Sequence, residues 1–258
     1  MDLSALAASR KRDDFMEPKK KKSGFSGPLK FVIIVASVIF VMSVTFRVDK
    51  IQVIGNSHYT ASEIINAIDI EQGDNLFFFD RFAAITRVFA KLPYVQEVSV
   101  ERSLPDKVTI RVTESTAVAY IKIGSELLTF DEKCKVLGKA AEGEQEGLIP
   151  VVGLDPGTIF INETLTTATN DTRTIDYLKS VLYQIVERGI SYQVSKLDFT
   201  STNNVSLSYG GKFTVRLGDP YATEHKFSMM MSALAQMKDG DIGIIDVTDA
   251  NTIHFMPY

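Results

Sequence analysis

The chain has 258 residues, enough for one or two domains beyond a terminal segment. Apolar residues make up 45% and charged residues 23%, which excludes wholesale disorder. The net charge of −4 divides unevenly: residues 1–30 carry eight basic groups against four acids, and the remaining 228 residues sum to −8. A basic head suits an anionic membrane surface, and an acidic body does not suit nucleic acid.

Residues 31–46 read FVIIVASVIFVMSVTF, with no charge and no proline. Sixteen residues at ~1.5 Å each span ~24 Å, a little short of a ~30 Å hydrocarbon core. Leu29 and Val48 extend the run, and the stems of Lys30 and Arg47 can snorkel. A buried core helix would carry a polar face, and a signal peptide would have a shorter apolar stretch and an A-x-A-like site. The segment therefore predicts one transmembrane helix over 31–46. The positive-inside rule then predicts a cytoplasmic basic tail over 1–30 and an extracytoplasmic remainder.

The next segment alternates, with Ile51 and Val53 on one face and Gly55-Asn56 ending the strand. Thr60-Ala61-Ser62-Glu63 is a capping box, so a helix begins there with Ile64, Ile65 and Ile68 as its stripe. Asp80 can cap a second helix, with Phe82, Ile85, Phe89 and Leu92 at helical spacing and Pro93 stopping it. Two alternating strands follow, Val98 to Glu101 and Val108 to Thr113, around the turn Leu104-Pro105-Asp106. The expected order is β-α-α-β-β over 47–120.

This order behind a membrane anchor resembles a POTRA domain, and the residue pattern is similar to the FtsQ/DivIB family of bacterial division proteins. The matching positions begin with Ile51, Val53, Gly55, Asn56, Glu63, Ile64, Gly73, Asn75, Leu76 and Phe77. They continue with Leu92-Pro93, Val95, Val98, Val100, Arg102, Pro105, Val108, Ile110, Val112 and Glu114. One departure is Ser115, where the family often has arginine after the glutamate.

Over 121–258 the sequence predicts a mixed sheet with helices. Hairpins are expected at Gly124-Ser125-Glu126 and at Gly210-Gly211. Asp-Glu-Lys-Cys-Lys around Cys134 reads as a turn, and residues 140–147 as an acidic loop. Ile175 to Val186 define one helix ending near Gly189. Asp219-Pro220 should open another, with Phe227, Met230, Met231, Leu234 and Met237 as a core stripe. Ile242–Val247 and Thr252–Met256 close the domain. The architecture resembles the family's β domain, so the fold class is α+β: one transmembrane helix, a POTRA-like domain and a β domain.

No catalytic, cofactor or metal site is expected. His58, His225 and His254 stand apart, no phosphate loop or G-x-S-x-G elbow occurs, and a lone cysteine forms no internal disulfide. The resemblance implies a non-enzymatic divisome scaffold, held at the septum, with FtsB/DivIC-type and FtsL-type small bitopic proteins as partners. It places capture of a partner strand at Thr252, Ile253, His254, Phe255 and Met256, and Lys226 is expected to face an acidic partner residue. Two other classes compete. A POTRA-bearing translocation component would need a C-terminal barrel of alternating strands, and an anchored cell-wall enzyme would need a catalytic constellation.

Overall fold

A computed structural model describes residues 26–141 and 143–258. The expected basic tail up to Phe25, and Glu142 of the acidic loop, lie outside the described residues.

Helix α1 spans Ser26–Thr45, so it begins five residues before the apolar run and takes in Lys30. Its 20 residues reach ~30 Å, which matches a hydrocarbon core with the extension at Leu29 and without Val48. Its apolar side chains are exposed, Phe31 and Phe40 most of all, as befits a helix whose solvent is lipid. Residues 46–258 form a second compact unit.

That unit holds two sheets, each with its own apolar core. The smaller is built from β1 (Lys50–Ile54), α2 (Ala61–Ile68), α3 (Arg81–Lys91), β2 (Val95–Ser103) and β3 (Lys107–Glu114). The strand order is β1-β3-β2, with β1 parallel and β2 antiparallel to the central β3. The capping box forms as expected: the Glu63 amide donates to Thr60 Oγ1 at 3.2 Å, and the Thr60 amide donates to Glu63 Oε2 at 2.8 Å. Ile64 and Ile68 then bury completely against the sheet, roughly 1.5–3 kcal/mol each. Asp80 caps α3 by accepting from the amides of Phe82 and Ala83.

The α3 stripe is phased differently from the sequence expectation. Ala84, Val88 and Leu92 are buried, Ile85 and Phe89 are half-buried beside them, and Phe82 is 75% exposed. Small Ala84 lets the helix lie close to the sheet, and that rotation turns the first phenylalanine outward.

The larger sheet begins at Ala119, so the boundary expected at 120 falls within its first strand. Its strands are β4 (Ala119–Ile123), β5 (Glu126–Phe130), β6 (Val136–Ala140), β7 (Ile149–Val152), β8 (Val194–Asp198), β9 (Val205–Tyr209), β10 (Phe213–Gly218), β11 (Gly243–Asp246) and β12 (His254–Pro257). They lie in the order β12-β11-β10-β9-β8-β7-β4-β5-β6, an open sheet with two ends and not a closed barrel. Helix α4 (Thr172–Glu187) buries Ile175, Leu178, Val181, Leu182 and Ile185 against it. Helix α5 (Thr223–Leu234) buries Phe227 and Met230. It starts later than Asp219-Pro220 predicted, because Asp219 spends its carboxylate elsewhere and Ala222 occupies the N-cap in a left-handed conformation. Strand β8 had no clear signal, since Val194-Ser195-Lys196-Leu197-Asp198 interrupts its own alternation.

Polar bonds join the two sheets' modules. The Ser115 hydroxyl donates to Asp131 Oδ2 at 2.9 Å, Lys135 Nζ to the Val95 carbonyl at 3.0 Å, and Asn162 Nδ2 to the Phe89 carbonyl at 2.7 Å. Ser115, which departs from the family's frequent arginine, thus makes an internal contact.

Candidate partner-binding edge

Strand β12 is the end of the nine-stranded sheet. It pairs antiparallel with β11: Gly243 faces Pro257, Ile244 faces Met256, Ile245 faces Phe255, and Asp246 faces His254. The Tyr258 amide donates to the Ile242 carbonyl at 3.1 Å, which fixes the alternation. Residues 254 and 256 therefore turn their backbone groups toward β11, and residue 255 turns its own away from the sheet. Pro257 has no amide proton and ends the outward row.

The side chains divide the same way. Phe255 packs on the core and meets the Phe213 ring edge-on, with centroids 6.4 Å apart. Ile253 and Met256 are each 39% exposed, and His254 is exposed on the other face. Thr252 sits in the preceding turn, where its hydroxyl donates to Asp249 Oδ2 at 3.1 Å. Asp249 also accepts from the Asn251 amide, and these hydrogen bonds hold its carboxyl below the usual carboxylate range. Of the five expected strand residues, three lie in β12 and two in the approach to it.

Gly243 allows this pairing. A Cβ at that position would stand 2.3 Å from the Met256 carbonyl oxygen and 2.9 Å from Pro257 Cα, so β12 packs where only glycine fits beneath it.

Lys226 is placed differently from its expected role. It is fully buried on α5, and its ammonium donates to Asp219 Oδ1 at 2.7 Å and to the Asp219 carbonyl at 3.0 Å. The lysine holds the Asp219 carboxyl below the usual range. A buried ammonium without a counter-charge is costly, so an intrachain acid takes the place expected of a partner's. The pair fixes the β10–α5 connection.

Glu114 was read only as a matching position. At the end of β3, its carboxylate accepts from the Ser57, His58 and Tyr59 amides at 2.7, 2.5 and 3.2 Å, and from the Ser57 hydroxyl at 2.9 Å. Partial burial pushes its carboxyl up, but these hydrogen bonds outweigh that and hold it below the usual range. His58 stacks on Tyr94, with centroids 3.7 Å apart. Cys134 is buried in its turn, and burial pushes its thiol up, away from the reactive thiolate. Among the described residues no group of three or more His, Cys, Asp and Glu side chains is arranged to hold a metal.

Residues 46–115 match the family described as POTRA domain, FtsQ-type. The DivIB cell division protein of Clostridium botulinum strain Hall is 22% identical over 250 residues, covering 95% of this chain and 96% of that protein. The chain is similar to the FtsQ/DivIB division proteins along nearly its whole length. Other relatives match over shorter stretches. FtsQ of Streptomyces coelicolor is 29% identical over 110 residues, covering 43% of this chain and 41% of that protein. DivIB of Bacillus subtilis is 28% identical over 109 residues, covering 41% of each. These relatives are cell division proteins, which supports an association of this chain with division, and α1, the one helix among the described residues long and apolar enough to cross a membrane, fits attachment to a membrane.

Proposed function

We propose that this chain is a non-catalytic scaffold of the division machinery, anchored by α1 with its N-terminus in the cytoplasm and its two sheet modules outside. It captures a small bitopic division protein of the FtsB/DivIC type, with an FtsL-type protein alongside, at the septum. The observation that carries this reading is the bare outer side of β12. An unpaired strand exposes a row of donors and acceptors that another chain can complete, and such an edge is a liability unless something covers it. Within β12 the outward donor belongs to Phe255, and continuing the alternation one residue before the strand gives Ile253 another, beside exposed apolar side chains at Ile253 and Met256. Two POTRA-like and β modules over about 47–120 and 121–258 give the partner a stiff platform.

The register makes the test specific. Ile253→Pro removes an outward donor and leaves the inward bonds of residues 254 and 256 in place. It should abolish co-purification of the bitopic partner from dividing cells while thermal stability changes by less than about 1 kcal/mol. His254→Pro breaks an inward bond and should loosen β12 itself. Retention of the partner by Ile253→Pro would remove β12 as the docking strand.

A further inference from the structure

We infer that the cleft between α4, the first turn of α5 and the turn at residues 131–135 is a further docking site. It takes an acidic residue of a peptide, held by its carboxylate and its backbone amide together. Glu132 and Lys133 of that turn, Tyr183 and Gln184 of α4, and Thr223 and Glu224 of α5 line one cavity of about 470 Å³. None of these residues lies on β12, so the site stands or falls independently of that edge.

Two polar features of this lining are unmet. Gln184 is 7% exposed, and among the described residues its Oε1 is buried with no hydrogen-bond partner. An unpaired buried acceptor is costly and uncommon in a folded protein. The second feature is the start of α5. Ala222 holds the N-cap in a left-handed conformation and supplies no side-chain acceptor to the first amides. Asp219, the cap expected from the sequence, accepts from Lys226 and from the Tyr221 amide instead. The first turn of a helix carries orphan donors and partial positive charge, and Thr223 and Glu224 set that turn against the cavity.

Together the two features specify the ligand. A carboxylate satisfies the α5 donors, and a peptide unit, with its N–H and C=O, complements the Gln184 amide in either orientation. A bare anion would leave Gln184 unmet. Lys133 and Lys179 line the cavity with Glu132 and Glu224, so the charges balance and a multiply charged anion gains nothing. Tyr183, 51% exposed, offers an aromatic face to the aliphatic part of a side chain. One rival lies within the protein. Arg188, a turn further along α4, donates from Nη2 to the Glu224 carbonyl at 3.2 Å and to the Ser228 hydroxyl at 3.1 Å, while its Nε is buried without a partner. A Gln184–Arg188 pair, direct or through water, would satisfy both atoms with no ligand.

The probe is N-acetyl-glutamate N-methylamide, read by saturation transfer from the full chain in nanodiscs. N-acetyl-glutamine N-methylamide, glutarate and inorganic phosphate are the comparators. The glutamate probe should bind in the millimolar range expected of a fragment, and about tenfold more tightly than each comparator. Gln184→Leu removes the unpaired amide at similar volume. It should weaken binding about tenfold and leave the thermal midpoint unchanged or higher. Lys133→Glu, in the exposed turn, should weaken binding several-fold in a folded protein. Equal binding of glutarate or phosphate identifies a bare-anion site and overturns the peptide. Equal binding of the glutamine probe overturns the part assigned to α5. A lower thermal midpoint for Gln184→Leu means that Gln184 already has its partner inside the protein, and overturns the inference. Binding that survives both substitutions overturns it too.

Discussion

The two ends of the nine-stranded sheet are treated differently. At β6 the chain crosses its own edge. The Val136 amide donates to the Glu163 carbonyl at 2.8 Å, the Asn162 amide to the Val136 carbonyl at 2.7 Å, and the Leu165 amide to the Cys134 carbonyl at 2.8 Å. A bridge between Lys135 and Thr164 completes the cover. At β12, among the described residues, no segment plays that part. The chain thus covers the start of one edge strand with its own backbone, and among the described residues β12 has no such cover. Edge strands invite pairing unless blocked, so the difference supports the proposal that β12 is the docking end.

The comparison predicts that damage at the covered end costs stability and damage at the open end costs binding. The largest effect belongs to Leu165, which is buried at the end of the covering segment. Leu165→Ala should destabilise the protein by about 3 kcal/mol through the cavity it leaves, read by denaturant unfolding. Hydrogen exchange at the Val136 amide should quicken, and partner capture should survive under conditions where the variant stays folded. Loss of capture with β12 still protected from exchange would break the division between the two ends.

Gly243→Ala should cost less, about 2 kcal/mol, because a methyl group beside the Met256 carbonyl displaces β12 without opening the core. Its signature is local. Exchange protection of the His254 and Met256 amides should disappear while the β10 amide of Val215 keeps its own. Partner capture should fall with the strand. Unchanged protection at 254 and 256 would show that the sheet accommodates the methyl group and that the glycine does not position the edge.

Much of this organisation is legible in the sequence. Local signals carried the capping box at Thr60, the Gly210-Gly211 hairpin and the α4 stripe, because each depends on neighbours within one or two turns of chain. Phe82 was misplaced because helical spacing fixes a stripe but not which side of it meets the sheet, and Ala84 decided that. Lys226 was misplaced because an isolated cation in a sequence looks solvent-facing, and its partner Asp219 lies seven residues away across a helix start whose position was itself shifted. The cover over β6 was invisible, since Asn162–Leu165 has no strand pattern and acts only through its backbone.

The smallest effect tests a site in the smaller module, away from β12. Glu114 grips three successive amides of the 57–59 loop, and its carboxyl lies below the usual range. A group whose folded value is depressed contributes stability at pH above its unfolded value of about 4.3 and loses it as the pH falls through the lower folded value. The carboxylate is partly exposed, so water screens the effect, and Glu114→Gln should cost only about 1 kcal/mol at neutral pH. The gap between wild type and variant should be constant from pH 6 to 8 and should narrow below about pH 4 as the wild-type carboxyl takes up a proton. Chemical denaturation across that range reads it directly. A gap that stays the same below the folded value would mean that the side chain acts through shape and not through its charge. Because the site has no contact with β12, partner capture at neutral pH should be unaffected, and any loss of capture there would tie the smaller module to the proposed docking edge.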